Sequence, residues 1–475
     1  MRNWRVAKLR SMQRIAYPSP IFDWLTFYAL VAVVAWVPLP FGSYRPWSWS
    51  VLATAVAVLL LLWGVGAALS VAKTSVSPRR IWPAILLFLA AAAWTLVQIA
   101  ASAPSTWHHP VWQEAAEILA LPMTSLISVN AFDSGTATIR LLAYGGVFWL
   151  AIQFGRDRER AKQAIYAVIA ISFAYAAYGL VVDLLDLRTI LWYDKWAYET
   201  DLTSTFVNRN SYATYAGIGL ICSVGLFAKN LLREIDIEGQ RRKTAHLFIE
   251  FLTGKGRYLL IAILVVATAL FLTESRAGVA SSIVGLATLG LIIALTRRIP
   301  RRQLYLVLGL CVAALLVIFE TTGSGFVDRI ADKGIHLENR SGVYRITQNA
   351  IDDSPVLGTG YGSFPDIFTI YRDGTVAGYW YKAHNTYLEN ALELGIPAAV
   401  ALFAAVALMG GRCLAGARYR QRDMIYPCLG VAVTVQVAVH SLLDFSLQIP
   451  AVAVTYAFVL GIGCAQSWSS KRSVG

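Results

Sequence analysis

Runs of about twenty apolar residues recur along the whole of this 475-residue chain and leave few folds open to it. A helix needs ~20 apolar residues to cross the hydrocarbon of a bilayer. Only helices and closed barrels satisfy every backbone amide there, and runs this long mean helices. Twelve are readable, at about 21–39, 47–72, 81–101, 138–154, 161–182, 206–229, 257–273, 277–296, 303–320, 386–410, 425–443 and 447–466. The seventh and eighth are short and parted by Glu274-Ser275-Arg276. Composition agrees: 57% of residues are hydrophobic and only 15% charged, against about half and about a quarter in soluble domains. The expected fold is an all-α polytopic membrane protein of about twelve transmembrane helices, one domain over 1–475.

A net charge of +13, from 41 basic and 28 acidic residues, would suit a nucleic-acid partner if it formed one footprint. It does not. The basic residues gather at 2–14, 73–80, 156–162, 229–257, 297–302, 412–422 and 471–472, which are alternate loops of the twelve-span reading. That is the positive-inside pattern, with both termini cytoplasmic and no nucleic acid implied. The first span follows a basic stretch but runs into Val37-Pro-Leu-Pro-Phe-Gly42 without a small-residue cleavage pattern, so it reads as a retained signal-anchor. The five cysteines lie in or beside spans, with neither a disulfide framework nor zinc-ligand spacing.

Four segments fall on the outer side: 102–137 with a weakly amphipathic stretch, 183–205 rich in aromatics and acids, the hairpin 274–276, and 321–385. The last is the longest. Its turn signals at Asp352-Asp353-Ser354-Pro355 and Gly358-Thr359-Gly360-Tyr361-Gly362, with a helical-looking stretch at 341–351, predict an ordered loop capping the outer face. The cytoplasmic side offers only charged connectors, of which 230–256 is the longest.

Ionisable groups at the ends of spans are costly to desolvate, so they mark candidate sites. Arg209, in Phe-Val-Asn-Arg-Asn, and Arg276, in Thr-Glu-Ser-Arg-Ala-Gly, fall at outer span ends. Each either snorkels or pairs with a local acid such as Glu274, or the two hold a phosphate through bidentate guanidinium contacts. His384 precedes the tenth span with Asn385 as a helix cap; it is either a partner for a loop carbonyl or a general base. Glu389 and Glu393 share one helical face, as do His440 and Asp444, by their i,i+4 spacing. Gly358 to Gly362 lacks the strand–helix context and the Lys-Ser/Thr of a P-loop, so a turn is expected. Trp192, Tyr193, Trp196 and Tyr198 suit either sugar stacking or an interfacial aromatic belt.

Taken together, five stretches in order resemble the O-antigen ligase and Wzy-type polymerase superfamily. They are Thr205-Phe-Val-Asn208-Arg209-Asn210; Leu272-Thr-Glu-Ser-Arg276-Ala-Gly278; Arg340-x3-Tyr344 followed by Pro355-x2-Gly358-x-Gly360-x-Gly362-x-Phe364; His384-Asn385-x-Tyr387-Leu388-x4-Glu393-x-Gly395; and His440-x3-Asp444-Phe445-x-Leu447-x2-Pro450. They cover 202–450, which the resemblance makes the catalytic core; the earlier spans match only as hydropathy. Tyr344 stands where the family often has tryptophan. The resemblance implies a multi-pass protein of the bacterial inner membrane with its active site facing the periplasm. It implies a metal-independent, inverting glycosyltransferase, without cofactor, that moves a glycan from undecaprenyl pyrophosphate to a sugar hydroxyl. Arg209 and Arg276 would bind the pyrophosphate, His384 would activate the acceptor, and Arg340 would anchor phosphate or loop. Asn208, Asn210, Tyr387, Glu393, His440 and Asp444 are further candidates for the substrate site.

Within that superfamily a ligase attaches polymer to lipid A–core, a polymerase joins repeat units, and some relatives glycosylate proteins. The shared motifs do not separate these; the ligase reading is taken first because it names the superfamily's common domain, with a polymerase for O-antigen or exopolysaccharide as the alternative. From another class, a flippase for polyprenyl-linked glycans would keep its ionisable groups near the bilayer midplane in repeated halves. Here they gather at outer span ends.

Overall fold

The computed structural model describes residues 20–238, 254, 256–297, 326–420 and 423–468. The expected ninth span, the basic stretches at 2–14 and 471–472, most of the connector 230–256, Arg298 to Arg302, Cys311 and the start of the long loop at 321–325 lie outside the described residues.

Ten of the other eleven expected spans are each one helix, and the tenth span is two. In chain order these are α1 (Pro20–Trp36), α2 (Pro46–Ala68), α3 (Trp82–Gln98), then the short α4 (Val111–Leu119), α5 (Ala131–Phe154), α6 (Arg158–Leu184), α7 (Arg209–Glu238), α8 (Arg257–Leu272) and α9 (Arg276–Arg297). After them come α10 (Phe326–Asp353), α11 (Phe364–Tyr371), α12 (Thr386–Leu394), α13 (Ile396–Tyr419), α14 (Ile425–His440) and α15 (Pro450–Ala465). By length and composition α2, α5, α6, α7, α9 and α13 can cross a membrane, and α1, α3, α8, α14 and α15 are shorter apolar helices. One two-residue antiparallel ribbon, Thr189–Ile190 with Tyr193–Asp194, is the β structure among the described residues.

A helix apolar on every side belongs inside a bundle or in lipid. All sixteen residues of α15 are buried, and it packs against α5 and α14 at the centre of the molecule. α2 lies at the rim, with Trp47, Val51, Val58, Leu61, Leu62 and Val65 exposed. Such a row of exposed large apolar side chains belongs against lipid tails.

Two expectations are corrected. The tenth span does not run unbroken from 386. Gly395 adopts φ +75°, and a Cβ there would lie 2.2 Å from the Val356 carbonyl oxygen. With Pro397 opening α13, the chain breaks into α12 and a separate apolar helix, and Glu389 and Glu393 belong to the short one. The long segment 321–385 is also largely helical in its described part. α10 and α11 enclose a small core of their own, in which Val343, Ile346, Phe364 and Phe368 meet Ala383 and Leu392. The glycine run is a close backbone contact, not a phosphate loop: Thr359 N–H donates to the Leu392 carbonyl and Gly360 N–H to Glu393, each at 3.0 Å. Gly358, at φ +68°, lies so close to Glu393 and Gly395 that a Cβ would fall 2.4 Å from the Gly395 nitrogen.

Candidate active site

Two helices start side by side. Asn208 caps α7, its Oδ1 accepting the N–H groups of Asn210 at 2.7 Å and Ser211 at 3.2 Å. Ser275 does the same for α9, its Oγ accepting from the Gly278 N–H at 3.2 Å. The Ser275 hydroxyl also donates to Asn210 Oδ1 at 2.7 Å, tying the two starts together. Arg209 and Arg276 are the first residues of these helices. Each therefore adds a guanidinium to a helix N-terminus, where unpaired N–H groups and the helix dipole already favour an anion.

Arg209 is fixed from two directions. Its Nη1 donates to Asp201 Oδ2 at 2.8 Å, and its guanidinium lies 5.5 Å from the Tyr198 ring centroid. The local acid expected from the sequence, Glu274, stands further off at 3.9 Å. Arg276 is exposed. Arg340, on α10, has no hydrogen bond or ion pair among the described residues, but its charge reaches the same place. Burial raises the hydroxyls of Tyr198 and Tyr344, and Arg340 acts against that at both, joined by Arg209 at Tyr198.

His384 is held by a third helix start. Asn385 caps α12, accepting from Tyr387 and Leu388 N–H, and His384 just before it takes φ +53°. That left-handed backbone is uncommon for a residue with a side chain and marks a conformation fixed by its surroundings. The surroundings are evident. The Tyr344 hydroxyl donates to the His384 carbonyl at 2.9 Å, and the rings of Trp380 and Phe445 meet the imidazole edge-on at 5.5 and 4.8 Å. α12 is stitched to the α14–α15 connection by Thr386, whose N–H donates to Ser441 O and whose hydroxyl donates to Asp444 O, each at 2.9 Å. Tyr387 OH adds a bond to Ala438 O at 2.9 Å.

The stitching brings His384 Nδ1 to 3.5 Å from Asp444 Oδ2, an ion-pair separation slightly longer than a hydrogen bond. The same oxygen accepts from Asn210 Nδ2 at 2.7 Å. Ser275, Asn210, Asp444 and His384 thus form one polar chain linking the starts of α9, α7 and α12. Asp444 is 1% exposed and His384 16%, so the carboxylate is sealed while the ring reaches the surface of the site. Burial alone would raise the Asp444 carboxyl; the facing His384 and His440 rings and the Asn210 amide outweigh it and hold the group below the ordinary carboxylate range. A carboxylate at Nδ1 leaves Nε2 as the nitrogen available for proton transfer, the arrangement a general base requires.

α14 ends at His440, and Asp444 follows one helical turn on, its N–H donating to the His440 carbonyl at 3.0 Å. They meet through Ser446, whose hydroxyl donates to Asp444 Oδ1 at 3.0 Å and lies 3.4 Å from His440 Nδ1; Thr214 Oγ1 contacts that nitrogen too. Glu389 and Glu393 pair with no arginine among the described residues. Glu389 takes Lys382 Nζ at 3.0 Å and the Ala383 N–H at 2.8 Å, and Glu393 takes the Phe364 N–H at 3.1 Å. Glu389 thus shapes the turn that carries His384, and Glu393 ties α12 to the start of α11. Asp201, Ser275, Ser446 and Lys382 were not singled out by sequence reasoning; only the pairing of distant segments identifies them.

A cavity of about 1030 Å³ opens beside this network. Its wall next to His384 is formed by Tyr198, Asn208, Thr386, Ser441 and Phe445.

No curated protein matches the chain. Residues 261–403 match the family model for O-antigen ligase. The matched segment carries Arg276, Arg340, His384 and Glu393, while Arg209, His440 and Asp444 flank it. Over residues 261–403 the chain is thus similar to the O-antigen ligase and Wzy-type superfamily.

Proposed function

We propose that the chain is an inner-membrane glycosyltransferase that moves a glycan from undecaprenyl pyrophosphate to an acceptor sugar hydroxyl at the periplasmic face, as an O-antigen ligase does in lipopolysaccharide assembly. The observation that carries this is the polar chain Ser275–Asn210–Asp444–His384, which sets one oriented imidazole beside two arginine-bearing helix N-termini.

In this reading the pyrophosphate lies against Arg209 and Arg276 at the starts of α7 and α9. The acceptor hydroxyl gives its proton to His384 Nε2 as its oxygen bonds to the anomeric carbon. The bond from that carbon to the pyrophosphate oxygen breaks, and its electron pair leaves with the pyrophosphate. Charge grows on the leaving group during this step, and donors already fixed toward that charge stabilise the transition state more than the ground state. Asp444 keeps the imidazole in the required tautomer and stabilises the imidazolium. A base and a leaving group on opposite sides of the sugar give inversion. Arg340 is a second-rank phosphate contact beside Tyr198, with Asn208 and Tyr387 close to the sugar.

The test is the surface-glycan profile of a strain lacking the gene, complemented with wild type, Arg276→Ala or His384→Ala. Undecaprenyl-linked polymer accumulating beside bare lipid A–core identifies a ligase. Glycans stopped at single repeats identify a Wzy-type polymerase, the second reading that the family match supports equally. Restoration of the wild-type profile by both alanine variants would falsify the assignment of the site.

A further inference from the structure

The end of the bundle away from His384 gathers guanidiniums. α15 starts at Pro450, just past Asp444 and Ser446, and its sixteen residues carry it ~24 Å to Ala465. Four arginines from four places in the chain meet there. Arg156, after α5, donates through Nη1 to the carbonyls of Ala465 at 3.2 Å and Trp468 at 2.8 Å. Arg420, after α13, donates through Nη1 to those of Gln466 at 2.6 Å and Trp468 at 2.8 Å. Arg412, in the last two turns of α13, donates through Nη2 to the Ser467 carbonyl at 2.7 Å and lies 4.8 Å from the Trp468 ring centroid. Arg80, just before α3, lies 5.9 Å from the same ring.

Carbonyls at a helix end invite a cation, but the dipole there amounts to about half a charge, which accounts for one guanidinium and not four. No acid among the described residues pairs with Arg80 or Arg412. Asp423, whose charge reaches Arg420, already takes Arg158 Nε at 2.8 Å and Lys229 Nζ at 3.3 Å. Burial holds the Arg156 guanidinium below its ordinary range, and Arg420 and Arg80 push it the same way. Like charges crowded this closely disfavour one another unless an anion joins them. Arg80 is exposed, so the cluster is open on its side. What flanks that opening is apolar. Trp82, Leu86 and Leu89, at i, i+4 and i+7, form an exposed stripe on α3 that begins beside Arg80, and Leu408 is exposed one turn before Arg412 on α13. The two helices pack against each other. The basic loops 73–80, 156–162 and 412–422 all reach this end, which the charge pattern makes the cytoplasmic one.

We propose that this cluster seats the head of an anionic phospholipid of the cytoplasmic leaflet, its phosphates on Arg80 and Arg412 and its acyl chains along the exposed faces of α3 and α13. Basic pockets where helices end on that side suit a head with two phosphates, which offsets more of the positive excess than one does. A soluble phosphate would meet the guanidiniums but gain nothing from the apolar stripe beside them. The site lies a full helix length from His384 and rests on no reading of the transfer reaction.

The test is native mass spectrometry of the full-length protein in detergent, with cardiolipin, phosphatidylglycerol or phosphatidylethanolamine added. Cardiolipin, with two phosphates, should be retained about tenfold better than phosphatidylethanolamine, and phosphatidylglycerol to an intermediate degree. Arg80→Gln breaks no hydrogen bond among the described residues, so the fold should survive it. Arg80→Gln and Arg412→Gln should each lower cardiolipin retention about tenfold, as expected for loss of one charge-assisted contact, and Arg80→Lys should recover part of it. Arg45→Gln is the control: Arg45 precedes α2 at the opposite end, 5.1 Å from the Trp196 ring centroid, and its loss should change nothing. Equal retention of the three lipids, or retention indifferent to Arg80→Gln, would overturn the proposal. Displacement of bound cardiolipin by millimolar sodium pyrophosphate would also overturn it, making the cluster a site for a soluble phosphate.

Discussion

At the scale of single residues, two histidine–carboxylate relations decide what the site can do, and one of them was hidden. His384 and Arg209 stand out in the sequence because ionisable groups at span ends are rare. That Asp444 faces His384 does not, since sixty residues and three helices separate them and nothing local records the contact. If Asp444 orients the base, Asp444→Asn should lower kcat by ~10²-fold or more with little change in KM, since general-base catalysis contributes about that much. Equal loss in KM and kcat would make Asp444 a binding group instead. Its titration gives a separate check. The folded-state value is depressed, so the carboxylate stabilises the protein above its unfolded value of ~3.9 and that contribution is lost as pH falls through the folded one. The difference in Tm between wild type and Asp444→Asn should therefore hold steady between about pH 5 and 8 and narrow only below about pH 4. Arg209 is fixed by Asp201 and the Tyr198 ring, so its fork is aimed in advance. Arg209→Lys should then fail to rescue the transfer lost in Arg209→Ala, because an ammonium reproduces neither the bidentate contact nor the stacking. Rescue to near wild-type transfer in the membrane assay would mean that charge alone is needed there.

At the scale of elements, apolar run length marked the positions of eleven helices and misjudged where one of them starts. Apolar character is nearly continuous from Tyr387 to Met409, and a run of that length hides an internal break. The signal that was present, Gly395 followed by Ile396-Pro397, is a helix stop and a helix start set side by side. The break matters because it frees α12 to turn His384 toward Asp444 instead of continuing the axis of α13. Gly395→Ala should be among the most disruptive single substitutions outside the chemistry. A side chain at φ +75° costs ~1–3 kcal/mol, and the Cβ would strike the Val356 carbonyl besides. A clear drop in Tm is expected, together with loss of transfer; unchanged melting in detergent would show that α12 and α13 can realign at no cost. Asn385→Ala, which removes only the cap of α12, should cost about 1 kcal/mol and leave the protein folded. The helical content of 326–353 was legible only over its last turns. Its earlier part is polar and lacks the periodicity by which a helix is recognised.

For the whole molecule, the charge pattern makes a claim that no contact within the bundle tests: which end faces which compartment. Basic residues favour the cytoplasmic side because translocating them is costly, and they gather in alternate loops of this chain. On that reading the end carrying Arg209, Arg276, His384 and the mouth of the cavity is periplasmic, where undecaprenyl-linked glycans would meet it. The four described cysteines are buried, so a membrane-impermeant maleimide should find little background there. Gly374, where a side chain would meet open space, and Thr74, exposed on a basic connector, lie on opposite sides by this reading. A cysteine at 374 should be labelled in intact spheroplasts, and one at 74 only after the membrane is permeabilised. The reverse pattern would put His384 in the cytoplasm. It would remove the periplasmic donor, and with it the transfer reaction assigned to this site.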